Sequence, residues 1–319
     1  MARDNHDTRV LPFGDAALAD AAALIAAGEP VAVATETVYG LAADATSGEA
    51  VARVYAAKGR PGFNPLIVHV LDAAAARRIA RFDMTAEALA ARFWPGPLTL
   101  VLPLRENSGI ARLVTAGLPT IAVRVPAHPA MRALLETTNK PLAAPSANAS
   151  GRISATRARH VLASLGGRIP LILDSGPTAH GIESTIVAVR PNGVAILRLG
   201  PIAADDIARA TGMTLVEAHA GKVEAPGQLA GHYAPTKPLR LDATEARADE
   251  WLIGFGPVRG DATLSVSGDL VEAAARLFDL LHAADASDRA RIAITPIASE
   301  GIGRAINDRL MRAARNSGG

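Results

Sequence analysis

The sequence predicts an α/β protein of two domains, and three observations carry that expectation. Strand and helix patterns alternate through the first two-thirds of the chain and resume after an interruption. Hydrophobic residues make up 49% of the sequence but aromatics only 3%, so alanine supplies much of the apolar surface and favours helix-rich α/β packing. At 319 residues the chain exceeds the usual size of one compact core. The break falls between His219 and Pro238, a stretch rich in glycine and proline with hardly any apolar run. The expected organisation is therefore residues 1–217, a linker over 218–238, and residues 239–319.

The elements follow from local signals. Asp15 is placed to cap a helix that runs to Ala27 and stops at Gly28 before Pro30. Val31–Ala34 reads as a strand leading into Thr35-Glu36-Thr37-Val38-Tyr39-Gly40. Ser47 caps the next helix, which ends near Lys58 and Gly59. Leu66–Val70 is a strand, Asp72–Arg81 and Thr85–Phe93 are helices, and Leu98–Leu102 is again a strand. Further strands are expected at Thr120–Val125, Leu142–Ala144, Leu171–Asp174, Thr185–Val189 and Ala195–Leu199. Helices are expected at Pro129–Thr137, Ala155–Leu165 and Ala204–Ala210. Beyond the linker, Trp251–Phe255 and Arg291–Thr295 read as strands, and Asp269–Ala284 and Ile302–Arg315 as helices. No fixed-period repeat is present.

Composition narrows the function classes. A formal net charge of +2 is weak support for an extended nucleic-acid footprint. With no cysteine there is neither a disulfide framework nor a thiol nucleophile. The first ten residues are polar, and no run reaches the roughly 18 apolar residues that a membrane span needs, so a soluble cytoplasmic protein is expected. The eight histidines show no metal-ligand spacing. There is no Walker lysine motif and no nucleophile elbow.

Two stretches carry the chemistry. Lys58-Gly59-Arg60-Pro61-Gly62-Phe63-Asn64-Pro65-Leu66-Ile67-Val68-His69 places two cations, an amide and an imidazole around a turn and a strand. Ala144-Pro145-Ser146-Ala147-Asn148-Ala149-Ser150-Gly151 offers small hydroxyl and amide groups in a loop without bulk to block a ligand. Together they describe a pocket for a compact, multiply charged anion, with nucleotide phosphates the leading candidate. Lys58 alone also reads as an ordinary helix stop, favoured by the macrodipole. His69 alternates with Leu66, Val68 and Val70 and so faces away from them. In Thr120–Val125, Ile121, Val123 and Val125 face a core while Thr120, Ala122 and Arg124 face the other way. A desolvated arginine there needs a partner, either an internal carboxylate or a ligand carboxylate or phosphate gripped in bidentate fashion. Arg198, between Leu197 and Leu199, raises the same question, and Ser184 stands where a hydroxyl meets a polar ligand group or caps a strand.

Thr35-Glu36-Thr37-Val38-Tyr39-Gly40-Leu41, Lys58-x-Arg60, Asn64-Pro65-Leu66, Trp94-Pro95-Gly96-Pro97-Leu98-Thr99 and Pro145-Ser146-Ala147-Asn148 occur in this order. That succession closely resembles the L-threonylcarbamoyladenylate synthase family in its two-domain form. The likeness runs from about Asp15 to Pro201, through His232-Tyr233-Ala234-Pro235, and into Gly301-Ile302-Gly303-Arg304-Ala305-Ile306. It implies a twisted mixed sheet with surrounding helices and a central positive cavity (YrdC-like), a smaller Rossmann-like α/β domain, and a linker folded over the cavity. It also implies a reaction in which L-threonine, bicarbonate and ATP give threonylcarbamoyl-AMP and pyrophosphate, with Mg²⁺ carried on the nucleotide phosphates and no protein-ligated metal. A partner transferase then moves the threonylcarbamoyl group to tRNA.

By the same resemblance Lys58, Arg60, Ser146 and Asn148 form the core of the nucleotide site. Asn64, Thr120, Ser154, Arg198 and the linker residue Tyr233 also contact ATP or its product, while Thr37, His69, Arg124 and Ser184 hold threonine. Two departures stand out. Ala34 replaces a proline common in the family, and Leu229 and Gly231 replace two linker cations, leaving His232 and Tyr233. Two other readings stand beside it: an RNA-binding module that uses the positive cavity, and a related carbamoyl-transfer domain with another acceptor. The low aromatic content argues against base stacking in the first.

Overall fold

The computed structural model describes residues 6–60, 64–217, 224–225, 232–315 and 317. The larger part is one mixed sheet. Its strands and helices in chain order are β1 (Arg9–Pro12), α1 (Asp15–Ala26), β2 (Val31–Ala34), β3 (Tyr39–Asp44), α2 (Gly48–Lys58), β4 (Ile67–His69), α3 (Ala73–Ile79), α4 (Met84–Phe93), β5 (Leu98–Pro103), α5 (Arg112–Thr115), β6 (Thr120–Arg124), α6 (Pro129–Thr138) and β7 (Leu142–Ala143). They continue as α7 (Ala158–Leu165), β8 (Leu171–Asp174), β9 (Thr185–Arg190), β10 (Gly193–Arg198), α8 (Ala204–Thr211) and β11 (Leu215–Val216). Among the described residues the sheet has 11 strands in the order β1-β8-β2-β3-β7-β4-β6-β5-β9-β10-β11.

The smaller part holds β12 (Leu239–Arg240), β13 (Glu250–Gly254), β14 (Ala262–Thr263), α9 (Leu270–Asp285), β15 (Arg291–Ile294) and α10 (Gly303–Arg315). Its four strands, ordered β12-β15-β13-β14, are all parallel. That gives the Rossmann-like outline, with α9 and α10 sharing one core against the sheet.

Local chemistry sets the helix ends. Ser47 accepts a hydrogen bond from Ala50 N at 3.2 Å and so starts α2, and Gly59 closes that helix with φ 60, a conformation open to glycine at little cost. Asp72, Asp83 and Asp269 cap α3, α4 and α9 in the same way. Asp15 does not cap α1. Gly14 holds the cap position without a side-chain bond, and Asp15 sits in the first turn, where its charge meets the positive end of the helix. The helix expected from Ala155 begins at Ala158, because 153–155 run extended against β3, with Tyr39 N bonded to Ala155 O at 2.8 Å.

Alternation along the central strands separates core from cavity. Leu66, Val68, Val70, Ile121, Val123 and Val125 pack into the main core. Ile67 and Ala122 face the opposite side, in a second cluster with Val101, Ile186, Ala195 and Leu197. β4 and β6 are parallel neighbours with His69 directly beside Arg124, so these two side chains emerge together on that second face.

The two parts share a core. Val38, Ile153 and Ile182 from the larger part pack with Leu277, Phe278, Ile306 and Leu310 of the smaller one. Gly181 lies so close to α9 that a Cβ there would come within 2.4 Å of the Ala274 and Ala275 carbonyl oxygens. Asp279 on α9 pairs with Arg157 at 3.0 Å and Arg159 at 2.6 Å, closing the same seam with charge.

Candidate active site

A cavity opens on the second face of the sheet. Eight of the residues singled out from the sequence line it: Thr37, Arg60, His69, Arg124, Ser146, Ser184, Arg198 and Tyr233. They arrive from the turn between β2 and β3, the end of α2, the ends of β4, β6 and β10, the loop after β7, the start of β9 and the segment before β12. Side chains far apart in the chain therefore meet in one hollow that carries three arginines.

Arg124 finds a carboxylate inside the protein. Its Nη2 lies 2.7 Å from Glu36 Oε1, and both side chains are buried. Nη1 donates to Thr37 Oγ1 at 3.0 Å and Nε donates to Gly96 O at 3.2 Å. Glu36 also accepts from Ala127 N at 3.1 Å, which ties the β2–β3 turn to the end of β6. Burial alone would raise the Glu36 carboxyl, but the charge and hydrogen bonding of Arg124 hold it below the ordinary value. Of the two partners open to Arg124 from the sequence, the internal one is present, and its identity was not foreseen. Thr37 carries the guanidinium's second contact to the cavity wall.

The cationic end is arranged differently. Arg60 donates from Nε to Asn64 O at 3.3 Å and from Nη2 to Pro65 O at 3.0 Å. Burial, with Arg198 adding repulsion, brings its pKa down to about 10, so it stays charged at neutral pH. Arg198 donates to Ser184 O and to Ser184 Oγ, each at 3.0 Å, and Ser184 Oγ lies 2.8 Å from Thr99 Oγ1.

Five of the expected residues do not line the cavity. Lys58 is buried, and its Nζ donates to Ser146 O at 2.5 Å and to Asn148 O, so it clamps the back of the 146–148 loop. Asn148 Nδ2 donates to Ala149 O and Arg152 O, both at 2.9 Å, leaving Oδ1 without a partner among the described residues. Asn64 is buried with its Oδ1 likewise unpartnered. Ser154 donates its hydroxyl to Glu183 Oε1. Thr120 lies half-buried at the start of β6. Pro61, Gly62 and Phe63, and the linker positions Leu229 and Gly231, fall outside the described residues.

Sequence reading missed two acids here, Glu36 and Glu183. Glu183 lines the cavity and pairs with Arg309 of α10 at 3.1 Å. A signal for Glu36 was available, since an acid between two threonines directly after the wholly apolar strand Val31–Ala34 is an unusual place for a charge. Among the described residues no group of three His, Asp or Glu side chains stands close enough to hold a metal ion.

Three imidazoles, His69 buried and His232 and His282 half-buried, make the molecule acid-sensitive. Burial and the Arg124 charge push His69 down to about 3, burial and Arg60 push His232 to about 4, and burial beside His160 pushes His282 to about 4. In the unfolded chain each returns to about 6.5. The unfolded state then binds more protons at mild acidity, so stability is full above about pH 6.5 and is lost as pH falls toward the native values. The urea midpoint is expected to fall steadily from about pH 7 to about pH 4, and His282→Gln should flatten the slope. A midpoint that does not move over that range rules the effect out.

Comparison with known proteins places the chain. The family described as Telomere recombination, the Sua5, YciO and YrdC group, matches residues 23–200, and the one described as Threonylcarbamoyl-AMP synthase, C-terminal domain, matches residues 202–315. The threonylcarbamoyl-AMP synthase of Bacillus subtilis (strain 168) is 38% identical over 96% of this chain and 95% of that protein. The protein of that name from Pyrococcus abyssi (strain GE5 / Orsay) is 37% identical over 92% of this chain and 93% of its own length. The crystal structure of P. abyssi Sua5 complexed with L-threonine superposes with a TM-score of 0.86 at 34% identity, covering 97% of each chain. The E. coli YciO structure shares the fold alone, with a TM-score of 0.53 at 18% identity over 60% of this chain and 94% of that one.

Proposed function

Because the chain belongs to the threonylcarbamoyl-AMP synthase family in its two-domain form, we propose that it makes L-threonylcarbamoyladenylate and pyrophosphate from L-threonine, bicarbonate and ATP. It is an enzyme, a nucleotidyltransferase-type synthase. The observation that carries the proposal is the meeting of Arg60, Arg124 and Arg198 with Ser146 and Ser184 in one cavity. Such a set suits a ligand that carries several negative charges, and here it has to seat two ligands side by side.

In this reading Thr37, His69, Arg124 and Ser184 hold threonine. Arg124, oriented by Glu36, presents its cavity-facing edge to the amino-acid carboxylate. His69 stays neutral at physiological pH, so its ring meets the threonine side chain as a hydrogen-bonding group without charge. Arg60, Ser146 and Arg198 receive the nucleotide with Tyr233, and Lys58, Asn64, Thr120, Asn148 and Ser154 shape the wall behind. The neutral amine of threonine attacks the carbon of CO₂ with loss of a proton to solvent, or that of bicarbonate with loss of water, and gives the N-carboxylate. The resulting carbamate oxygen then attacks the α-phosphorus in line with the departing pyrophosphate. Three anionic groups crowd together in that step, so fixed cations and positioning supply the rate, with no covalent enzyme intermediate required.

The lining does not form a resident Mg²⁺ site, because it offers guanidinium, imidazole and hydroxyl groups and its carboxylate Glu183 is engaged by Ser154 and Arg309. A metal ion would arrive on the nucleotide phosphates as part of the substrate. Residues 218–238 are proposed as a strap between residues 1–217 and 239–319. Two described residues of that strap, His232 and Tyr233, line the cavity, and covering it would keep water from the labile adenylate. The product would pass to a transferase that modifies tRNA, in the cytoplasm. No helix among the described residues is long and apolar enough to cross a membrane.

The test is an incubation with ATP, Mg²⁺ and labelled bicarbonate, with and without threonine. Threonine-dependent pyrophosphate release and a labelled adenylate are expected. Turnover that ignores threonine would sink the assignment.

A further inference from the structure

The charge that balances the nucleotide end of the cavity comes from the far end of the chain. Arg309, on α10, is fully buried at 0% exposure. Its Nε donates to Glu183 Oε2 at 3.1 Å and Nη1 donates to Asp308 Oδ2 at 3.1 Å. Nη2 has no hydrogen-bond partner among the described residues. The guanidinium carbon sits 5.5 Å from the centre of the Tyr233 ring, which in turn stacks on Phe278 of α9 at 5.6 Å. One side chain from the smaller part thus touches two groups of the cavity wall, a carboxylate and an aromatic ring.

Stability alone does not account for this arrangement. A buried ion pair between two packed units is often no better than apolar residues of similar size. An acid on the wall of a site that receives polyphosphate is also unfavourable by itself, since it repels the ligand and competes for the cations. Glu183 feels Arg198 as well as Arg309. Were Arg309 absent, Glu183 would draw on Arg198, the cation that otherwise faces the ligand.

We infer that Arg309 is a positioning residue for the synthase reaction: it neutralises Glu183 from behind, so that Arg198 is left free to meet the nucleotide phosphates. The inference rests on the proposed ATP-dependent function. It gives the smaller part a role in substrate affinity, beyond the anchoring of Tyr233.

The experiment is a charge-balance cycle in the full-length chain, with ATP binding followed by calorimetry and turnover measured at varied ATP and varied threonine. Arg309→Met is expected to raise the ATP Kd and KM by tenfold or more while changing the threonine KM by less than threefold. The double variant Glu183→Gln with Arg309→Met removes the stranded acid, and its ATP Kd should return to within threefold of the parent. A purely structural role would weaken both substrates together and would not be rescued. If Arg309→Met does not fold, the double variant decides alone: an ATP Kd within threefold of the parent supports the inference and a tenfold rise overturns it. Equal ATP affinity in the parent and in Arg309→Met overturns this inference but leaves the proposed function standing. A parent chain with no ATP affinity overturns both.

Discussion

Arg60→Ala is expected to lower threonine-dependent pyrophosphate release by about 10²–10³-fold and to leave the unfolding midpoint unchanged or slightly raised. The two halves of that result have one cause. Arg60 is held by two backbone carbonyls, and among the described residues no carboxylate lies within salt-bridge distance. Inside the cavity it feels Arg198, which repels it. Without a ligand the pair is unfavourable, and relief of that repulsion offsets the two lost hydrogen bonds, because Asn64 O keeps its bond from Tyr55 Oη at 2.8 Å and only Pro65 O loses its side-chain donor. With ATP bound, the same cation faces phosphate in a partly water-excluded site, where the attraction is far stronger than in bulk water. Steady-state kinetics and urea denaturation on the same preparation check both parts. Activity within tenfold of the parent would remove Arg60 from the nucleotide site.

Lys58→Met should behave in the opposite way on stability while also abolishing turnover. The methionine keeps the length of the side chain but leaves Asn148 O without a donor among the described residues, while Ser146 O keeps only its bond from Asn148 N at 3.0 Å. Stranding one buried acceptor costs on the order of 1–3 kcal/mol, visible as a lower urea midpoint. Activity falls because the 146–148 loop, which Lys58 pins to the end of α2, loses its place on the cavity wall. A variant of parental stability that is nonetheless inactive would show that Lys58 acts on the ligand and not on the loop.

Much of the site was legible before the structure because strand alternation is a local signal. His69 and Arg124 were each set apart from their apolar neighbours by a period of two, and the fold places them side by side on β4 and β6. What the pattern could not show was what each charge would meet. Arg124 and Thr37 lie 87 positions apart, and Arg309 and Glu183 lie 126 apart. A single sequence carries no trace of such pairings until the topology brings the ends together. Strand β3 was not assigned from the sequence because Tyr39–Asp44 is buried at every position, so its residues leave no alternation to detect. β1 was missed for the reverse reason: it is a mostly exposed edge strand whose partner β8 lies far downstream.

The core shared by Val38, Ile153 and Ile182 with Phe278 and Ile306 also bears on how the protein is made. A ribosome releases the first three residues long before the last two, so the nascent polypeptide carries a bare oily face through much of its own synthesis. Until α9 and then α10 leave the exit tunnel, that face lacks the partners it packs against in the folded protein.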